Sequence, residues 1–236
     1  MALEGVEKIT FGDGLPGYVC GSVKDPAVIV IQEWWGVVPT VVAHAVKLSE
    51  QGYRCLIPDI YRGKVGVNKE EASHLLSKLD WAQAVQDIKQ AVQYLRDDGA
   101  TKVGAIGFCM GGALSLAAAQ LAGVDCAVAF YGTPAAELSQ PENIKVPVSL
   151  HFGELDDHKG FSDPETGKKF ADSVTAAGGS AELFVYEAAG HGFLNTGEAA
   201  VATREHMGFP EPPAEAQQLA WTRISAFLDG HLRPQQ

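Results

Sequence analysis

The residues best suited to chemistry in this chain gather round one short segment, Gly107-Phe108-Cys109-Met110-Gly111-Gly112. A nucleophilic side chain framed by glycines, after a branched apolar run and before an Ala-rich run, has the G-x-S-x-G pattern of a nucleophile elbow with cysteine in place of serine. A strand that turns abruptly into a helix brings backbone segments close together, where glycine's missing Cβ avoids a clash. Cys109 would then project from the carboxyl end of a sheet beside a helix N-terminus, whose amides bind an oxyanion and favour a thiolate. Cys20, Cys55 and Cys126 lie in strand-like runs without that glycine frame and read as core.

A thiol nucleophile needs a base, and the base needs an orienting carboxylate. On elbow-bearing folds the chain order is nucleophile, acid, histidine. His191, in Gly190-His191-Gly192-Phe193, directly follows the last predicted strand and is the expected base. His44, His74 and His231 fall in predicted helices and read as surface or packing residues, and His151 lies inside a strand. The acid should come from Gly153-Glu154-Leu155-Asp156-Asp157-His158, past the preceding strand. Asp156 is the expected member, with Asp157 as the alternative. His151, Asp156, Asp157 and His158 match no ligand spacing that coordination geometry would favour, so neither a metal nor another cofactor is expected.

These residues require a scaffold of alternating strands and helices. Continuous apolar runs at Ala27–Gln32, Tyr53–Pro58, Lys102–Gly107, Cys126–Tyr131, Val146–Phe152 and Ala181–Tyr186 predict buried strands. Helical periodicity predicts helices over Thr40–Gln51, Asn68–Asp97, Met110–Leu121, Asp163–Ala177 and Pro213–His231. A weak hairpin precedes them. The order predicts an α/β fold, a mostly parallel doubly wound sheet with helices on both faces, as one domain over residues 1–236. Gly190–Pro212 lacks clear periodicity and reads as a surface excursion near the site.

The 236 residues carry 29 acids against 18 Lys and Arg, a formal charge of −11, and 46% of them are hydrophobic. That balance suits a globular domain with a sizeable core. It argues against nucleic acid, which needs a concentrated basic face. No apolar run is long enough to span a bilayer, so no membrane partner is expected. The opening Met-Ala-Leu-Glu-Gly-Val lacks a basic region followed by an apolar stretch, and the four cysteines are irregularly spaced. Both features predict a cytoplasmic protein with reduced thiols, as monomer or homodimer.

Together, Gly107-Phe-Cys-Met-Gly-Gly, Gly190-His-Gly-Phe, Gln32-Glu33-Trp34-Trp35-Gly36 and Pro58-Asp59-Ile60-Tyr61 resemble the dienelactone hydrolase (carboxymethylenebutenolidase) family, collinearly over nearly the whole chain. The resemblance implies an α/β-hydrolase with a Cys109–His191–Asp156 triad that cleaves a small-molecule ester or lactone. It implies that Glu33 contacts the resting thiol and takes its proton when substrate binds, and that the Trp34 and Met110 amides form the oxyanion hole. The family's lactone hydrolases hold a substrate carboxylate with arginines. The matching positions here are Asn195, four residues after His191, and Lys69. Neither offers a bidentate guanidinium grip. A carboxymethylenebutenolide or another activated ester with fewer anionic demands is therefore as well suited as a dienelactone, with Trp35 as a possible aromatic wall. A redox-responsive thiol protein and a non-catalytic binding protein on the same fold are the competing readings.

Overall fold

The runs that read as continuous apolar segments form strands, buried on both faces in the middle of the sheet and part-exposed at the edge formed by Ala181–Tyr186. The computed structural model describes residues 3–23 and 25–234, so the extreme ends of the expected 1–236 domain lie outside the described residues. Its strands are β1 (Glu7–Phe11), β2 (Leu15–Cys20), β3 (Ala27–Ile31), β4 (Arg54–Pro58), β5 (Val103–Phe108), β6 (Cys126–Phe130), β7 (Val148–Gly153) and β8 (Ala181–Tyr186). They form one eight-stranded sheet in the order β1-β2-β4-β3-β5-β6-β7-β8. From β4 to β8 every neighbouring pair is parallel, and the β1–β2 hairpin joins antiparallel through β2. This is the doubly wound α/β arrangement expected from the sequence.

Side chains alternate across a strand, so one apolar run feeds two cores. In β3, Ala27, Ile29 and Ile31 enter one core while Val28 and Val30 enter the other. The first core is covered by α3 (Trp81–Asp97), α4 (Met110–Leu121) and α5 (Pro164–Ala176), with α2 (Lys69–Ser77) beside them. The second is covered by α1 (Pro39–Glu50) and α7 (Ala214–Leu232). Helix α4 is buried on every side from Met110 to Ala119, which suits its Ala-rich and Leu-rich composition. No helix of the described residues is long and apolar enough to cross a membrane.

Two segments differ from the sequence expectation. The single helix expected over Asn68–Asp97 is broken into α2 and α3. Asp80 leaves the helical region at φ −81° and ψ 99°, and its side chain accepts a 2.9 Å hydrogen bond from Gln83 N as the cap of α3. No glycine or proline marks the break, and Leu79 packs on the core across it, so the apolar stripe runs through unbroken. The second difference lies in Gly190–Pro212, which holds a helix, α6 (Glu198–Met207), ended by Gly208 in the left-handed region at φ 73°.

Because Asp80 satisfies an otherwise free amide of α3, Asp80→Ala should lower stability by about 1 kcal/mol while leaving the sheet intact. Chemical denaturation read by circular dichroism checks this, and an unchanged midpoint would remove the cap from the account.

Candidate active site

Strands β3 and β5 lie side by side at the centre of the sheet, with the chain leaving β3 toward β4 on one flank. In open α/β sheets such a reversal leaves a crevice at the carboxyl ends of the strands. Cys109 follows the last residue of β5 and caps α4, with φ 55° and ψ −117°. That conformation is strained for a residue with a Cβ, at about 1–3 kcal/mol, and it persists because its surroundings enforce it. A Cβ on Gly107 would lie 1.8 Å from Gly111 O, and one on Gly132 would lie 2.1 Å from Cys109 O. The elbow is thus clamped from the strand before it and from the loop after β6.

Close approach also joins β3 to the elbow. A Cβ on Gly111 would lie 2.4 Å from Ile31 O and 2.6 Å from Gln32 O. The Gln32-Glu33-Trp34-Trp35 segment is therefore held against the first turn of α4. Among the described residues, the N–H groups of Trp34 and Met110 donate to no acceptor, and Met110 N–H is the first amide of α4. Free amides of this kind suit an oxyanion. Trp34 and Trp35 pack edge to face at 4.9 Å, both part-exposed.

His191 Nδ1 lies 2.6 Å from Asp156 Oδ2, and the Cys109 side chain acts on the same ring electrostatically. Asp156 is 5% exposed and its other oxygen accepts Ser162 Oγ at 2.9 Å and His158 N at 3.3 Å. A carboxylate fixed on both oxygens holds the imidazole's orientation through Nδ1. Of the three acids in the loop, only Asp156 meets the imidazole. Asp157 is exposed, and Glu154 instead accepts Ala188 N. Burial alone would favour a neutral His191, but the Cys109 side chain and the hydrogen-bonded Asp156 carboxylate outweigh it, and the ring is pushed up to about 10. Tyr131 and Phe209 flank the ring at 4.9 and 5.5 Å.

Glu33 is 7% exposed, and burial pushes its carboxyl above the ordinary range. Its hydrogen-bond partner is Asn195, whose Nδ2 donates at 3.0 Å. In this conformation the Glu33 carboxyl is turned toward Asn195. Asn195 is engaged on both ends of its amide, because Oδ1 faces His44 Nε2 at 3.1 Å and Tyr131 Oη at 3.5 Å. Its backbone carbonyl takes Arg204 Nη1 at 2.6 Å, and Arg204 also pairs with Glu211 at 3.0 Å. Lys69 stands apart, exposed at the start of α2 over a shallow depression shared with His206 of α6.

Sequence reading missed His44 and Tyr131. His44 lies one turn from Val41 and Leu48 on the buried face of α1, which was the available signal. Tyr131 directly follows β6, where a parallel strand ends beside the site. His151 is a core histidine, stacked on Phe130 at 4.4 Å and bonded to Ser149 and Tyr186. Among the described residues no group of three or more His, Cys, Asp or Glu is arranged to hold a metal ion.

The clamp on the elbow gives a direct expectation. Gly132→Ala should force Cys109 from its geometry and cost about 1–3 kcal/mol of stability. Thermal unfolding and the rate of Cys109 alkylation check it together, and a variant matching wild type in both would show that the loop yields freely.

Comparison with known proteins covers the same span. Residues 15–232 match the dienelactone hydrolase family. The chain is 31% identical over 223 residues to protein usf of Aquifex pyrophilus, covering 88% of this chain and 89% of that protein. It is 28% identical over 234 residues to the carboxymethylenebutenolidase of Pseudomonas putida, covering 90% and 98%. A dienelactone hydrolase-like promiscuous phosphotriesterase from metagenomic libraries superposes with a TM-score of 0.76 at 20% identity, covering 96% and 98% of the two chains. On the family match and the length of the aligned relatives, the chain belongs to the dienelactone hydrolase family.

Proposed function

We propose that this chain hydrolyses carboxylic esters or lactones through a thioester on Cys109, with His191 as base, Asp156 as its orienting acid and Glu33 as acceptor of the thiol proton. The observation that carries this reading is the His191–Asp156 hydrogen bond set beside Cys109, on an elbow held at φ 55°. Family membership and the printed name of the Pseudomonas putida relative support the reaction class.

Glu33 takes the thiol proton, leaving a thiolate beside the His191 imidazolium. The thiolate attacks the acyl carbon, and the carbonyl electron pair moves onto oxygen, where the Trp34 and Met110 amides receive it. Collapse breaks the bond to the leaving alkoxide, which takes the imidazolium proton. Neutral His191 then accepts a proton from water, the hydroxide displaces the thiolate from the thioester, and Glu33 returns its proton to the thiolate, restoring the starting state. Asp156 favours the imidazolium at each charged stage.

The charges near the site bear on substrate class. Glu33 and Asp156 are both buried acids, the Asn195 amide is consumed by Glu33 and His44, and Arg204 is spent on Asn195 O and Glu211. An ester or lactone with an uncharged acyl group fits these surroundings better than a carboxylate-bearing one. The Trp35 ring completes the substrate-binding set, while Lys69 stands apart from it over the depression it shares with His206. All four described thiols are free, which suits a reducing cytoplasm.

Stoichiometric alkylation of Cys109, confirmed by peptide mass, should abolish turnover of an activated aryl ester and of a lactone alike. Activity surviving full alkylation would exclude Cys109 as the nucleophile. Glu33→Gln should keep the fold and slow single-turnover acylation by about 10²-fold. The raised Glu33 carboxyl also places the acid limb of kcat/KM above the ordinary carboxylate range, with activity lost as pH falls through it. A Glu33→Gln variant that acylates as fast as wild type would remove the glutamate from proton transfer.

A further inference from the structure

The His44 imidazole is almost fully buried, stacked on Phe108 at 4.4 Å, next to Cys109 in the chain, and tilted against Trp221 of α7 at 5.7 Å. Packing alone would be met by any aromatic ring. A buried polar ring instead demands partners, and its recorded hydrogen bond is the one from Nε2 to Asn195 Oδ1. Burial pushes the ring down to about 4, with Lys47 adding in the same direction, so it is neutral and carries a single N–H. Asn195 has one donor end and one acceptor end. The donor end faces the Glu33 carboxylate at 3.0 Å, so the oxygen facing His44 accepts, and the imidazole proton sits on Nε2.

We infer that His44 is a positioning residue for Glu33: its Nε2–H fixes the Asn195 amide so that nitrogen, not oxygen, faces the Glu33 carboxyl. This role rests on the reading of Glu33 and Cys109 proposed above. A flipped amide would set two acceptors against each other in a dry site and leave the His44 N–H unpaired, a strongly unfavourable exchange. The relay is braced on all sides. Arg204 of α6 holds the Asn195 carbonyl, and the Tyr131 hydroxyl after β6 donates to Asn195 Oδ1. Lys47 on α1, Arg204, Tyr131, Glu33 and His191 are the charged or titratable groups around it. Asn195's donation favours the Glu33 carboxylate and so opposes burial. Losing that donation must raise Glu33 further and move its acid limb to higher pH.

The test is the pH profile of Cys109 alkylation by iodoacetamide, with single-turnover acylation by p-nitrophenyl acetate, in wild type, His44→Leu, His44→Gln and Asn195→Asp. Glutamine places an amide N–H close to the position of imidazole Nε2. His44→Leu should move the acid limb upward and slow acylation about tenfold, a one-hydrogen-bond effect. His44→Gln should restore both, and Asn195→Asp, which sets a carboxylate against Glu33, should shift the limb furthest. The inference is overturned if His44→Leu matches wild type in both readouts. It is also overturned if leucine and glutamine variants slow alike with the limb unmoved, which marks a purely structural role. Should His44→Leu fail to fold, Asn195→Asp decides, and an unmoved limb there overturns the inference. A limb that responds to His44 in a protein whose alkylated form keeps esterase activity would sink the thioester reading and leave the relay standing.

Discussion

The whole site depends on one backbone constraint, the turn at Cys109 between β5 and α4. Its φ of 55° is held by contacts too close for any side chain: Gly107 against Gly111 O, and Gly132 against Cys109 O. Gly111 extends the same constraint to β3 by letting the Ile31 and Gln32 carbonyls reach the first turn of α4. Cys109, the Trp34 and Met110 amides and the Glu33 segment are therefore positioned by one set of close approaches. The strain at Cys109 is borne by a helix and strands that are buried throughout, since β5, β6 and most of α4 are closed to solvent.

Electrostatics then divides the site into two halves that share Tyr131. On one side, Asp156 and the Cys109 side chain raise His191 against the cost of burial. On the other, Glu33 lies buried with the Asn195 amide as donor, and that donation and the His191 charge favour its ionised form against burial. A carboxyl so placed binds a proton more readily than an exposed one, as a proton acceptor for a thiol requires. Placing a second cation there would stabilise the carboxylate and weaken it as a base. The neutral Asn195 amide is thus consistent with both the uncharged substrate class and the basicity of Glu33.

The excursion after His191 supports these halves. His191 to Leu194 fold inward, burying Phe193 and Leu194, before α6 returns along the surface. Arg204 ties α6 back to the Asn195 carbonyl, and Phe209 closes on the His191 ring. Base and relay therefore share one segment, so displacing it would disturb both proton-transfer groups together.

What the sequence determined by itself was local. Branched apolar runs fixed the strands, the glycine frame marked the elbow, and the order of Cys109, Asp156 and His191 followed from the order of strands whose ends carry them. The break at Asp80 escaped because a capping aspartate on a continuing apolar stripe leaves periodicity intact. What only the tertiary structure decided were the contacts between segments remote in the chain. Asp156 was separated from Asp157 by burial beside Ser162, a property of how the loop folds back. The partnership of Glu33, Asn195 and His44 spans residues more than 150 apart and arises where α1, the β3 loop and the excursion converge. Such pairings carry no local pattern, because hydrogen bonds depend on distance in space, which sequence spacing alone does not encode.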